Sequence, residues 1–90
     1  MADKTYVGVC VYIDSDGVMR PERIALGNSL YGITNVVSVA PVEKSAVLDY
    51  TVEIWAGAGK TRTSHLFMES ADGRTRWYVM RKAKPAAARA

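Results

Sequence analysis

A glycine-rich segment in the middle of the chain has the residue types that bind phosphate in nucleotide-hydrolysing enzymes: residues 57–61 read Gly-Ala-Gly-Lys-Thr. In such a loop, backbone N–H groups surround the phosphate, the lysine reaches it and the hydroxyl holds magnesium. The pattern requires a further glycine five residues before Gly59, where this chain has Ile54, and a helix after Thr61, where strand-forming residues follow. We therefore interpret residues 49–69 as a β-hairpin with a glycine-rich tip.

The single histidine, His65, and the single cysteine, Cys10, are the residues that would act as base and nucleophile. A catalytic base requires a nucleophile and an orienting group beside it, and a metal site requires further ligands. The sequence shows no convergent set of titratable residues, so we expect no catalytic site, no cofactor and no metal. We interpret Cys10 as a small core residue and His65 as an ordinary strand residue.

A second motif, Asp14-Ser15-Asp16-Gly17, resembles the start of a calcium-binding loop. That loop requires a ligand two residues before Asp14, where Tyr12 stands, and a glutamate six residues after Gly17, where Arg23 stands. The segment instead predicts a hairpin turn with a glycine bulge, in which Gly17 takes a positive φ.

Charge is unevenly distributed along the chain. Residues 1–56 carry 4 cationic and 7 anionic side chains and residues 57–90 carry 8 and 2, so the two parts have charges of −3 and +6 and the chain +3. Cations interleaved with aromatic rings suit single-stranded nucleic acid. The alternative, which we favour, is that the aromatic rings are core and the cations keep the surface solvated. The candidate surface for an anionic partner comprises Lys60, Arg62, Arg74, Arg76, Tyr78, Arg81 and Lys82.

These residues must be positioned by strands, because apolar residues recur with a period of two and turn residues separate the runs. The predicted strands are residues 4–13, 18–26, 30–40, 48–55, 62–69 and 74–82. Pro21 places the second strand at an edge or at a bulge. Residues 42–46 are either a plain connection or one short helical turn. The pattern predicts an all-β fold, a single small barrel or roll of about six mostly antiparallel strands of the SH3-like or split-barrel type.

Two strands allow a prediction of which residues face the core. On the first strand both faces are rather apolar, which predicts a central strand covered on both sides. The two faces are Val7, Val9, Val11 and Ile13 on one side and Tyr6, Gly8, Cys10 and Tyr12 on the other. On the third strand, alternation predicts one shared face for Tyr31, Ile33, Val37 and Val39.

Length and composition define the class of protein. Ninety residues with 49% hydrophobic and 23% charged side chains indicate one globular domain, residues 1–82, followed by a disordered basic tail, residues 83–90. No apolar run approaches the roughly 18–20 residues that span a membrane, and no secretory leader is recognisable. One cysteine permits no internal disulfide, so we expect a cytoplasmic protein.

From residue 16 to residue 82 the sequence resembles a family of small uncharacterised bacterial β-barrel-like proteins. The resemblance rests on Asp16-Gly17, Pro21 with Ile24, Tyr31 with Ile33 and Val36-Val37, residues 50–54, residues 66–69 and residues 76–79. The chain departs from the family at residues 43–49, where Glu-Lys-Ser-Ala-Val-Leu-Asp replaces a glycine-rich basic approach to the next strand. The resemblance implies a compact β-barrel-like domain and no activity.

We therefore expect a small non-enzymatic binding or interaction module. Its partner is an unidentified protein or a second copy of the chain, which would associate through an edge strand or an apolar face. The alternative function is nucleic-acid binding by a small β-barrel that uses the basic C-terminal half. Neither function involves a membrane.

Overall fold

The backbone of residues 2–82 folds into six β-strands in this computed structural model, which describes the side chains of residues 3–81. The strands are β1 (Ala2–Ile13), β2 (Met19–Leu26), β3 (Ser29–Pro41), β4 (Val47–Gly57), β5 (Lys60–Ala71) and β6 (Arg74–Lys82). Every boundary lies within two residues of the one that alternation predicts, and the described backbone contains no helix. Residues 42–46 form a plain connection of turns and bends. The predicted tail, residues 83–90, lies outside the described residues.

Consecutive strands pair antiparallel in the order β1-β2-β3-β4-β5-β6, and β6 pairs back onto β1 to close a barrel. The prediction of a small all-β barrel of six antiparallel strands is therefore confirmed. We call the end with the loops 14–18, 42–46 and 72–73 the upper end, and the end with the loops 27–28 and 58–59 the lower end. Closure is the route by which a short all-β chain protects its strand edges.

The core lies inside the barrel, and its most buried residues come from four of the strands, β2, β4, β5 and β6. Its buried members are Ile24, Tyr50, Val52, Ile54, Leu66 and Trp77, and partly buried residues such as Val7, Val9 and Val79 pack against them. Leu66 and Val52 are completely inaccessible to solvent. Alternation along each strand places these side chains inward and most of the charged residues outward.

Two strands change partner halfway along their length. In β1, residues 2–7 pair with β6 and residues 8–13 pair with β2. In β3, residues 29–32 pair with β2, and residues 33–41 pair with β4. Each half of these strands therefore has a ladder on one side only.

The second strand contains the bulge that its proline predicts. Cys10 pairs with Arg23 and Val11 pairs with Pro21, so Glu22 is an extra residue in β2. Pro21 is fully buried. A proline has no N–H to donate to a ladder, and a bulge accommodates it without leaving a partner unsatisfied.

The predicted inward face of β3 is wrong at Val37. The register skips one residue at Thr34 and another at Val37. Val36, not Val37, is the valine that packs against the core, and Val37 is 54% exposed. Each extra residue reverses the alternation, so the second restores it, and Val39, which pairs with the buried Tyr50, lies on the predicted face.

The outer face of β1 is exposed, which corrects the prediction of a strand covered on both sides. Tyr6 and Tyr12 are 44% and 47% exposed, and Cys10 is an exposed thiol, not a core residue. Nothing in the described chain lies outside the barrel wall to cover them. Even on the inner face, burial ends at Val9, since Ile13 is 62% exposed at the upper end.

Candidate functional site

The predicted phosphate-binding segment forms the tip of the β4–β5 hairpin. Gly57 pairs with Lys60, so residues 58–59 form a two-residue loop, and both have positive φ (53° and 74°). Ile54, where the phosphate loop needs glycine, is buried in the core, and strand β5 follows where a helix would be required. The interpretation of this segment as a β-hairpin with a glycine-rich tip is confirmed.

The Asp14 motif is also a turn. The carboxylate oxygen Oδ1 of Asp14 accepts hydrogen bonds from the backbone N–H groups of Asp16 and Val18, both at 2.9 Å. Gly17 has φ of 83°, as predicted. Across residues 2–82, no group of three or more His, Cys, Asp or Glu side chains is arranged to hold a metal ion.

The candidate cations do not form one surface, because they occupy both ends of the barrel. Arg74 opens β6 at the upper end, and Arg81 lies seven residues further on, about 23 Å away along the strand. Lys60 and Arg62 lie at the lower end with Arg81. Lys82 ends β6 at the same end, and its side chain falls outside those described.

Two members of the candidate surface, Arg76 and Tyr78, belong to a cluster on the outer wall. At its centre is the half-buried carboxylate of Glu69, which accepts a hydrogen bond from the Tyr6 hydroxyl at 2.8 Å. Lys4 lies 3.4 Å and Arg76 lies 3.2 Å from the same carboxylate. The guanidinium of Arg76 is thus already paired with Glu69, so it is less available to bind an external anion.

The electrostatics of this Glu69 cluster follow from its contacts. The hydrogen bond from Tyr6 lowers the pKa of Glu69, and the hydrogen bond and charge of Lys4 and the charge of Arg76 act in the same direction against partial burial. Burial alone would lower the pKa of Lys4, but the hydrogen bond to Glu69 and its charge outweigh that effect and raise it.

Aromatic rings form a row across β1, β6 and β5 beside the cluster. Tyr78 meets Tyr6 edge-on at 5.7 Å between ring centroids and stacks on Phe67 at 5.1 Å. The ammonium of Lys4 covers the Tyr78 ring at 4.6 Å. Tyr78 is therefore only 8% exposed although it faces outward, and it cannot stack on a nucleic-acid base. Trp55, in contrast, is 55% exposed near the lower end.

His65 continues the row and contacts Asp49. Its Nδ1 atom lies 2.9 Å from Oδ1 of Asp49 and 3.5 Å from the Thr51 hydroxyl. Both contacts involve Nδ1. In a catalytic triad the carboxylate and the nucleophile contact different ring nitrogens, so Asp49, His65 and Thr51 do not have the geometry of a triad. His65 is an exposed residue of strand β5, as the sequence predicts.

A cavity of about 250 Å³ opens at the lower end of the barrel. Its apolar wall includes Ile24, Leu26, Tyr31 and Val79, and it also contains Arg62 and Arg81. Arg62 pairs with Ile54 across β4 and β5, and Arg81 follows Trp77 and Val79 on β6. Both arginines therefore extend from the inner face, where alternation otherwise places core residues.

The upper end presents uncovered apolar side chains and unpaired strand edges. On the side that faces β2, residues 33–41 of β3 have no ladder partner within the described backbone. On the side that faces β6, residues 8–13 of β1 have none either. Exposed apolar residues along these edges are Val11, Tyr12, Ile13, Val37 and Val39.

Sequence reasoning missed Lys4, Tyr6 and Glu69 as one cluster. Tyr6 and Glu69 are 63 residues apart, and they meet because the β1–β6 pairing closes the barrel. The available signal was alternation: Lys4 and Tyr6 share a face of β1, and Arg76 and Tyr78 share a face of β6.

We compared the chain with protein-family models, curated proteins and solved structures, and none of the three comparisons gave a match. The resemblance to small bacterial β-proteins therefore remains an expectation from sequence. In residues 2–82 there is no helix long and apolar enough to cross a membrane.

Proposed function

We propose that the chain is a non-enzymatic interaction module that associates with a second copy of itself through the upper part of β3. The observation that carries this proposal is the unpaired edge of residues 33–41. A strand edge with free N–H and C=O groups is a template for another strand. The same proposal places the protein in the cytoplasm, where its exposed Cys10 remains a thiol.

The composition of this edge supports pairing. Residues 24–42 contain no charged side chain, whereas natural edges are commonly protected by lysine or by inward-pointing charges. Val37 and Val39 are 54% and 47% exposed along the edge. In contrast, residues 2–7 of β1, which have no ladder partner on the side that faces β2, carry Asp3 and Lys4 and are protected by these charges.

The geometry leaves room for a partner strand. If the register between β2 and β3 is continued, Met19 is level with about Val36, so residues 37–41 extend past the start of β2. Below this level, a cleft of about 310 Å³ separates Pro21 from Thr34. Antiparallel pairing of β3 with the β3 of a second copy is self-complementary, as a twofold dimer requires.

The test is the molar mass in solution as a function of concentration, measured by light scattering on the full chain. We expect a concentration-dependent dimer, and we expect Val37→Lys to shift it to monomer because a charge on the shared edge opposes pairing. Thr63→Lys, an exposed position on the closed side of the barrel, is the matched control and should leave the dimer unchanged. Monomer at every concentration would rule the proposal out.

A cross-link locates the interface. In a Cys10→Ser background, Val39→Cys should form a disulfide-linked dimer under mild oxidation, because Val39 is central in residues 37–41, which extend past β2, and meets its own copy across a twofold axis. Thr63→Cys in the same background should not. A disulfide-linked dimer of the native chain, whose one cysteine is Cys10, would instead assign the contact to the edge of β1.

Nucleic-acid binding through the basic C-terminal half is the less well supported alternative. Glu69 engages Arg76, Tyr78 is covered, and the remaining cations lie at two ends. Exposed Trp55 near the lower cations is the observation in its favour. Fluorescence anisotropy with a single-stranded oligonucleotide tests it, and binding should weaken steeply as salt rises.

A further inference from the structure

We propose that the cavity at the lower end of the barrel binds a small organic anion, a carboxylate or phosphate joined to a short apolar group. This site is separate from the β3 edge and does not depend on self-association. The inference rests on two arginines that extend from the inner face of the barrel over an apolar wall.

The apolar part of the cavity belongs to the core. Ile24 and Ile54 line it and are almost fully buried, and Leu26, Tyr31 and Val79 complete its apolar wall. The volume of about 250 Å³ is just below the range typical of drug-sized ligands, about 300–1,000 Å³. A ligand here is therefore small, and the wall favours an alkyl or aryl group.

The polar part of the cavity wall consists of Arg62, Arg81 and the hydroxyl-bearing Ser64. Among the described side chains, neither guanidinium lies within 4.0 Å of a carboxylate. Two guanidinium groups on one inner face repel each other, and an anion between them would relieve that repulsion. Guanidinium also recognises carboxylate and phosphate through paired hydrogen bonds.

One acidic residue, Asp3, lies near the mouth of the cavity and should oppose the binding of an anion there. Asp3 lies directly opposite Arg81 on β1, on the same face as Val7, and forms no ion pair with it in the described structure. With Asp3 counted, the cavity mouth carries two positive charges and one negative. An entering anion is therefore attracted by the arginines and opposed by Asp3.

The test is a titration of the full isotopically labelled chain with benzoate and with phenyl phosphate at constant ionic strength, followed by amide chemical shifts. Benzyl alcohol, of matched shape and without charge, is the control ligand. We expect shift changes centred on Ile54, Ser64, Val79 and Arg81 for the anions, and much weaker changes for the alcohol. A response to one anion alone would identify the head group.

The variants separate a built site from general attraction. Arg62→Ala and Arg81→Ala should each weaken anion binding about tenfold or more, the effect of losing a hydrogen bond to a charged group. Arg74→Ala removes the same charge at the upper end of the barrel and should leave the affinity for the anions unchanged. Asp3→Asn should tighten binding. Amide spectra confirm that each variant is folded, which is expected because all four side chains are exposed.

Three outcomes would overturn the proposal: no response at saturating anion, equal weakening by Arg74→Ala, or equal binding of benzyl alcohol. Tighter binding of a single-stranded oligonucleotide that Arg62→Ala and Arg81→Ala abolish would reassign the arginines to a nucleic acid. The Val37→Lys monomer should bind the anions unchanged, which keeps this site distinguishable from the proposed dimer.

Discussion

The two ends of this barrel differ in what they leave uncovered. At the upper end, residues 33–41 of β3 and 8–13 of β1 expose backbone edges and apolar side chains without a single charge. At the lower end, the inner face carries Arg62 and Arg81 and encloses a small cavity. A strand edge pairs along the length of a partner strand and suits a macromolecule, whereas a concave mouth lined by two cations suits a small molecule.

This difference arises from where β1 and β3 change partners. Each strand crosses from one neighbour to another near its middle, so its two halves have opposite free sides. Within residues 2–82 there is no helical layer to cover these sides. The lesson is that closure in topology does not protect every edge, and the unprotected halves differ in charge.

The largest effect should come from the core that both ends share. Leu66→Ala should lower the free energy of unfolding by about 2–5 kcal/mol, because Leu66 is completely buried and the barrel cannot collapse around the cavity left behind. Ile13→Ala, an inner-face residue at the open upper end, should cost less than about 1 kcal/mol. Urea denaturation at low protein concentration measures both changes. Equal losses would mean that the upper end is covered.

Much of this fold could be predicted from the sequence because its signals are local. Alternation defined the strands, and turns such as Asp72-Gly73 defined their ends. The inward orientation of Arg62 and Arg81 could also be predicted from the sequence. Arg62 is an even number of residues from Leu66 on β5, and Arg81 is an even number from Trp77 on β6, so each shares a face with a core residue. Arg74 and Arg81 are seven positions apart on one predicted strand, which likewise implied that they lie at opposite ends of it.

The remainder depends on pairing between distant parts of the chain. A bulge leaves no periodic trace, so the shift that turns Val37 outward and Val36 inward could not be counted from sequence. The contact between Tyr6 and Glu69 requires the closing β1–β6 ladder, whose register no local pattern specifies. The partner change within β1 has the same origin, and it explains the exposure of Ile13.

A smaller effect should come from the Glu69 cluster, which ties β1 to its neighbours close to Val7, where the β1–β6 ladder ends. The pKa of Glu69 is lowered in the folded state, so its contribution to stability is complete above its ordinary value near 4.5 and is lost as pH falls through the folded pKa. Glu69→Gln should therefore be less stable than the native chain at pH 7, with the difference vanishing in acid.

Thermal unfolding of both proteins between pH 7 and pH 2 measures this difference, and hydrogen exchange locates it. We expect faster exchange in Glu69→Gln for amides of β1, because the cluster holds the strand beside β6. Glu22→Gln, a change of the same chemistry in the exposed pair with Arg20, is the control and should leave exchange in β1 unaltered. A stability difference that persists in acid would contradict the lowered pKa.

The smallest change in stability should come from substitutions in two similar hairpin tips, one at each end of the barrel. Both have two-residue loops with positive φ at each position: Asp72-Gly73 at the upper end and Ala58-Gly59 at the lower end. Asparagine and aspartate tolerate this conformation, whereas alanine is strained in it. Ala58→Asn should therefore raise the free energy of unfolding by about 0.5–1 kcal/mol, and Asp72→Ala should lower it by a similar amount.

Urea denaturation of the two single variants and the double variant measures both changes, which should add because the tips lie far apart. Destabilisation by Ala58→Asn would mean that the lower tip does not hold the left-handed turn in solution, and the equivalence of the two tips would fail.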